Sequence, residues 1–174
     1  VNDKHRVYKN IQGKRFEDVT DTAALGGEGL VGGPATVFDM DNDGDLDVYI
    51  TYFGNYLKGD LPTLTRYNAN GSPNQLFENL GNFTFKNVTK GSGVDNSGWA
   101  QAVAHTDLNN DNLQDIIVGN DFGTNGYYIN QGNNTFKEIS KRLNTDKPSY
   151  TMGIGIADLN ADKLPDLYIS NIVT

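Results

Sequence analysis

The sequence predicts an all-β chain, a β-propeller portion built of four-stranded blades, each with an acidic loop between its first and second strands. Three observations lead there. An aspartate-rich turn occurs three times, each time feeding an apolar stretch of strand character. An asparagine six residues before a phenylalanine also occurs three times, as Asn10 and Phe16, Asn79 and Phe85, Asn130 and Phe136. The two patterns keep phase: the first aspartates of the turns are 68 and 51 residues apart, the phenylalanines 69 and 51. Turn and hairpin therefore form one repeating unit.

The first turn reads Asp39-Met40-Asp41-Asn42-Asp43-Gly44-Asp45-Leu46-Asp47. Side-chain oxygens stand at positions one, three, five and nine, the spacing with which a tight turn wraps a hard cation such as calcium. Gly44 at position six permits the sharp bend that brings the Asp45 carbonyl inward at position seven. The same grammar returns with Asp107, Asn109, Asp111, Leu113 and Asp115, and again with Asp158, Asn160, Asp162, Leu164 and Asp166. Up to three calcium ions are expected. An EF-hand would need a twelve-residue loop closing on a bidentate glutamate between helices, and neither is present. Solvent-facing hairpins rich in Asp, Asn and Gly also occur without metal; three such loops in register favour the ion.

The chain has 174 residues and a formal charge of -8, from 22 acidic and 14 basic side chains. Ten of those acids are the loop aspartates at positions one, three, five and nine, so three divalent ions would cancel six negative charges and metal loading should affect stability. No basic block exists, which argues against nucleic acid as a partner. There is no cysteine, which excludes disulfides and thiolate metal sites. Twenty glycines imply many turns, and nine tyrosines and eight phenylalanines suit strands. No apolar run reaches transmembrane length, so membrane insertion is not expected. Weak extracellular calcium modules fill at about 0.1–1 mM, which suits a secreted, periplasmic or cell-surface setting. The opening at Val1 and the end near Val173 read as a mature fragment, its signal removed, or as an excised portion of something longer.

Taken in order, residues 1–20 hold two strands around Gln12 and Gly13, a half blade of outer strands. The first full blade, 30–89, has strands at Pro34 to Phe38, Leu46 to Tyr52, Gln75 to Glu78 and Phe83 to Val88. The second, 98–140, has Ala100 to Thr106, Asp115 to Gly119, Tyr127 to Asn130 and Thr135 to Ile139. Residues 150–174 supply Met152 to Ala157 and Asp166 to Ser170, a half blade of inner strands. Hairpin register is fixed by the asparagines, which align Tyr8, Phe77 and Tyr128 and leave Tyr127 one residue early; a slip of one would reverse the faces. Small residues precede each acidic loop, among them Gly33 and Ala35, Ala102 and Ala104, Gly153 and Gly155, as an innermost strand beside a crowded axis requires. Four blades are needed for an ordinary ring, so flanking repeats or a homo-oligomer completing the open blades are expected; a solenoid satisfies the same strand count.

Residues 54–73 form the one long insertion. Its Tyr56, Arg66 and Tyr67 are candidate contacts for a protein or glycan ligand, with packing of the loop on the blade rim as the plainer reading.

Asp39 to Ile50, the hairpin segments Asn74-Gln75-Leu76-Phe77-Glu78-Asn79 and Asn125-Gly126-Tyr127-Tyr128-Ile129-Asn130, then Asn120-Asp121-Phe122-Gly123 and Met152 to Asp158, resemble the FG-GAP/VCBS repeats of integrin-like calcium-binding propellers, in particular their cartilage-acidic-protein-like subgroup. The resemblance covers nearly the whole chain. It implies calcium tying the inter-strand loops of a secreted, periplasmic or cell-surface protein, and no single ligand. The chain departs from the pattern at Asn112 and Lys163, which stand where the first loop has Gly44; the loops are therefore ranked first, second, third for occupancy.

Catalysis has little support. The carboxylate spacing already has a structural use, and no activated nucleophile accompanies it. His105 with Asp107 and Tyr150 would be the group to move protons if folding joined them, and scaffold packing is the alternative. Trp99 reads as a packing anchor rather than a sugar platform. Acceptor patterns for glycosylation begin at Asn70, Asn82, Asn87 and Asn133, where turn chemistry explains the asparagines equally well. The expected function is a calcium-stabilised extracellular adhesion or ligand-recognition module, with structural propeller assembly or an accessory domain of a carbohydrate-active enzyme as alternatives.

Overall fold

A computed structural model describes residues 4–63, 65 and 67–172. The elements run β1 (Tyr8–Ile11), β2 (Arg15–Asp18), α1 (Thr20–Ala23), β3 (Gly32–Phe38), β4 (Asp47–Tyr52), a 3-10 turn (Tyr56–Lys58), β5 (Gln75–Asn79), β6 (Phe85–Asn87), β7 (Ala100–Thr106), β8 (Asp115–Asn120), β9 (Gly126–Asn130), β10 (Phe136–Glu138), β11 (Thr151–Ala157) and β12 (Asp166–Asn171). They make four sheets: β1-β2, β3-β4-β5-β6, β7-β8-β9-β10 and β11-β12, each a meander of antiparallel neighbours. The propeller prediction is corrected by this topology. Among the described residues the four sheets do not close on one another; the first and last own two strands each, and no pairing joins them.

Register repeats from sheet to sheet. Val48 faces Phe77 and Ile116 faces Tyr128, while Asn10 faces Phe16, Asn79 faces Phe85 and Asn130 faces Phe136. β6 begins later than its sequence predicts because Phe83 (φ 61) sits in a left-handed turn position and cannot extend the strand. Neither the four-residue α1 nor the 3-10 turn was anticipated.

β7 lies against both β3 and β11, and small residues permit that approach. A Cβ added at Gly33 would meet Thr51 Oγ1 at 2.7 Å and the Ala100 carbonyl oxygen at 3.1 Å. One apolar cluster joins the two complete sheets through Phe38, Met40, Tyr49, Leu76, Ile116, Val118 and Tyr128. A second sets Val7, Ala23 and Leu25 on Ile50, Tyr52 and Phe77. A third sets Ile154, Ile156 and Leu167 on Ile117, Tyr127 and Ile129. Each large side chain so buried contributes roughly 1.5–3 kcal/mol.

Side-chain amides close the chain between second and third strands. Tyr52 N donates to Asn74 Oδ1 at 2.9 Å, and Asn120 N to Asn125 Oδ1 at 2.8 Å. Another amide crosses between sheets: Asn130 Nδ2 donates to the Met40 carbonyl at 2.7 Å in a buried setting. Asn130→Ala should therefore cost about 1–3 kcal/mol, because the Met40 carbonyl loses its donor where water cannot replace it. Urea unfolding would read this as a lower midpoint at unchanged slope.

Candidate metal centre

Each acidic loop is wound by its own carboxylates. Asp39 Oδ1 accepts from Asp43 N at 3.2 Å and Oδ2 from Gly44 N at 3.0 Å; Asp43 Oδ1 accepts from Asp45 N at 2.9 Å. The second loop repeats the bonds, Asp107 taking Asp111 N and Asn112 N, and Asp111 taking Leu113 N. So does the third, with Asp158, Asp162, Lys163 and Leu164. Position six is left-handed in all three: Gly44 at φ 92, Asn112 at 68 and Lys163 at 72. Glycine adopts this freely and asparagine tolerates it, whereas lysine carries the steric cost of its Cβ.

The loops differ in how open their carboxylates are. In the first, carboxylate oxygens of Asp39, Asp41 and Asp43 lie within 4.8 Å of one another, a group able to hold a metal ion. Two oxygens there, Asp41 Oδ1 and Asp45 Oδ1, are buried and accept no hydrogen bond. Buried carboxylate oxygens without donors are costly unless a cation meets them. Burial first, then the charge of Asp43, pushes the Asp41 and Asp45 carboxyls above the usual carboxylate range. In the other two loops position three is an asparagine, and its Nδ2 donates to the position-five carboxylate: Asn109 to Asp111 at 2.8 Å, Asn160 to Asp162 at 2.9 Å. That internal bond occupies an oxygen the first loop leaves open. The first and second loops also touch, Asn42 Nδ2 donating to the Asn112 carbonyl at 3.1 Å.

Position nine serves the scaffold in each loop. Asp47 Oδ2 accepts from Met40 N at 2.9 Å and Oδ1 from Asn79 N at 2.8 Å. Asp115 does the same with Leu108 N and Asn130 N, both at 2.8 Å, and Asp166 Oδ2 takes Leu159 N at 2.8 Å. Asp47 and Asp115 are buried, and that burial pushes Asp47 up to about 6 and raises Asp115. Asparagines 79 and 130 are thus partners of the acidic loops, a role for which their constant phase to the loops was the signal.

The opposite end of the sheets carries rings. Trp99, 1% exposed, meets Phe53 edge-on at 4.8 Å and Phe122 at 5.6 Å; Tyr150 meets Phe122 at 5.8 Å and Tyr56 meets Phe53 at 6.5 Å. Sequence reading missed Phe53 and gave Phe122 no role beyond its place in a family-like motif, although both are followed by glycine just past a second strand, as Phe53-Gly54 and Phe122-Gly123. The insertion is sewn to this end by Trp99 Nε1 donating to Asn70 Oδ1 at 2.9 Å and Asn68 Nδ2 to the Phe122 carbonyl at 2.8 Å. Tyr56 and Tyr67 are exposed; Arg66 lies outside the described residues. Tyr150 packs on Phe122 at the ring end, whereas His105 stands at the end of β7 next to the second acidic loop. Its Nδ1 is 2.6 Å from the Thr36 hydroxyl and its ring stacks on Phe38, and burial lowers its pKa. His5 packs over Gly27 with Nε2 3.0 Å from the Tyr52 hydroxyl.

Among the described residues no helix is long and apolar enough to cross a membrane. Residues 107–169 match the FG-GAP-like repeat. Over 110 residues, 60% of the chain, the sequence is 34% identical to cartilage acidic protein 1 of Mus musculus, and over 109 residues 31% identical to cartilage acidic protein 1 of Xenopus tropicalis. The chain spans 17% and 16% of the lengths of these relatives. Repeated loop geometry and these matches together support homology of the chain to the FG-GAP-repeat and cartilage-acidic-protein sequences.

Proposed function

We propose that this chain is a calcium-stabilised recognition module of an extracellular, periplasmic or cell-surface protein, with the ion held first by the loop of Asp39, Asp41, Asp43 and Asp45. The observation that carries the reading is the pair of buried, donorless oxygens of Asp41 and Asp45 beside the Asp39–Asp43 cluster. Calcium, when bound, supplies two positive charges and accepts six or more oxygens at flexible geometry. The chain's own residues shape the turn, hold the carboxylates together and, through Asp47, pass any tightening of the loop to the Asn79 backbone. The loops of Asp107 and Asp158 are weaker second and third sites in this reading, since Asn109 and Asn160 already engage a carboxylate. Millimolar calcium outside cells, and similarity to a cartilage acidic protein, support the location. Isothermal calorimetry of the metal-stripped chain tests the site: calcium should bind and magnesium, which demands stricter octahedral geometry, should bind more weakly. Absence of calcium binding overturns the reading.

The aromatic end is the recognition face in this proposal, because Tyr56 stands exposed on Phe53 where an aromatic or sugar ring of a protein or glycan ligand can stack. Tyr56→Ala should weaken ligand capture on glycan and protein arrays by at least about tenfold, a loss on the order of 1.4 kcal/mol, while Tm stays near wild type. Equal capture by wild type and variant removes Tyr56 from the face.

A further inference from the structure

The first two acidic loops are joined through the protein interior. Met40 stands between Asp39 and Asp41, so its peptide groups move with the carboxylates that an ion would gather. Its N donates to Asp47 Oδ2 at 2.9 Å, and its carbonyl accepts from Asn130 Nδ2 at 2.7 Å. Asn130 belongs to the neighbouring sheet, at the end of β9. The Asn130 N donates to Asp115 Oδ1 at 2.8 Å, and Asp115 Oδ2 accepts from Leu108 N at 2.8 Å. A continuous row of bonds therefore runs from position nine of the first loop to positions nine and two of the second.

Asp47, Met40, Asn130 and Asp115 are each at most 1% exposed. Water does not compete along the row, and the low dielectric of the interior strengthens each bond. The amide at position 130 is fully used. Its Oδ1 accepts from Gly132 N at 2.9 Å, while Nδ2 serves the Gln114 carbonyl at 3.2 Å as well as that of Met40. An aspartate there would set an oxygen against two carbonyls. The other link between the loops, from Asn42 Nδ2 to the Asn112 carbonyl, is exposed and contributes less because water competes for it.

We propose that Asn130 is a positioning residue of the first ion site and that filling this site tightens the second loop, an inference that rests on the reading of the first loop as a calcium site. An ion held by Asp39, Asp41 and Asp43 restricts the Met40 peptide among them. Because Asn130 already holds that peptide, less freedom remains to be lost when the ion arrives. Linkage makes the relation mutual: whatever affinity the second loop lends the first site returns as added order in the second loop once that site fills.

Calorimetry of the full chain first finds the calcium level at which the first site alone is filled. Amide hydrogen exchange at that level then reads local opening. Calcium should slow exchange at Leu108 N and Asn130 N by roughly tenfold, within the usual range of coupling between sites. Leu159 N, the matching amide of the third loop, should be unchanged. In Asp41→Ala, which loses an ion ligand but leaves every residue of the row in place, none of the three should slow. Asn130→Ala should bind calcium about tenfold more weakly and no longer protect Leu108 N. Circular dichroism establishes that this variant is folded; if it is not, the comparison of wild type with Asp41→Ala decides. No calcium binding by the wild type overturns the site reading and the coupling together. Calcium binding with equal slowing of all three amides, or slowing that survives in Asp41→Ala, overturns the coupling and leaves the site standing. Wild-type affinity in a folded Asn130→Ala removes Asn130 as a positioning residue.

Discussion

Trp99→Ala should cost about 3–5 kcal/mol, the range for deleting a buried indole, and lower Tm by roughly 6–20 °C for a domain of this size. The side chain is the meeting point of the aromatic end. Phe53 and Phe122 close on it edge-on, and Gly54 packs so tightly that a Cβ there would come within 2.1 Å of the indole. Truncation would leave a cavity between two sheets and strip Asn70 Oδ1 of its donor. Trp99→Phe keeps one ring but loses the hydrogen bond and part of the bicycle against which Gly54 packs, so it should cost less than Trp99→Ala, about 1–3 kcal/mol. Urea denaturation of both variants measures the difference. Equal, small costs for the two would mean that the rings around Trp99 are held by the backbone alone.

Calcium at one hundred times its dissociation constant should stabilise the wild-type chain by about 2.7 kcal/mol, or roughly 5–11 °C in Tm. Asp41→Ala should abolish most of that gain, whereas Asp158→Ala should remove much less, because the third loop is exposed and its Asp162 is already bonded to Asn160. The effect depends on pH with a definite sign. Asp47 is raised to about 6 by burial, and Asp41 and Asp45 are raised by burial and by Asp43. A raised carboxyl contributes stability that is full below its unfolded value near 3.8 and is lost as pH climbs through the folded value near 6. The metal-free chain should accordingly lose this contribution between about pH 4 and 6, and calcium should restore most at pH 7, where protons no longer compete for the oxygens. Differential scanning calorimetry with and without calcium at pH 5 and 7 checks it. A calcium effect that is larger at pH 5 would contradict the assignment.

Much of the local architecture was legible because it rests on short-range chemistry. Alternating residues such as Leu46, Val48 and Ile50 read as strand, and Asp, Asn and Gly at fixed offsets read as turns whose bonds are made within five residues. Ring closure was not legible. Counting strands gives the content of each unit, but whether a row of sheets closes depends on contacts between distant edges, and here the end sheets have two strands each. The four-residue α1 escaped because its N-cap position, Val19, makes no side-chain cap bond. In the site, the spacing of the ligands is alike in all three loops, and the sequence ranked them only by position six, Gly44 against Asn112 and Lys163. What separates them is the amide of Asn109 or Asn160 turning onto the neighbouring aspartate, a choice set by the folded turn rather than by residue type alone.

The asparagine clamp between second and third strands has an evolutionary consequence. Asn74 holds Tyr52 across 22 residues, and Asn125 holds Asn120 across only five. A latch indifferent to the span beneath it uncouples that span's length from sheet geometry, and each doubling of a flexible span adds only about 0.6 kcal/mol of closure entropy. New sequence can therefore be grafted between residues 54 and 73 and diversified there while the neighbouring strands keep their alignment, provided the contacts of Asn68 and Asn70 to the aromatic end are retained.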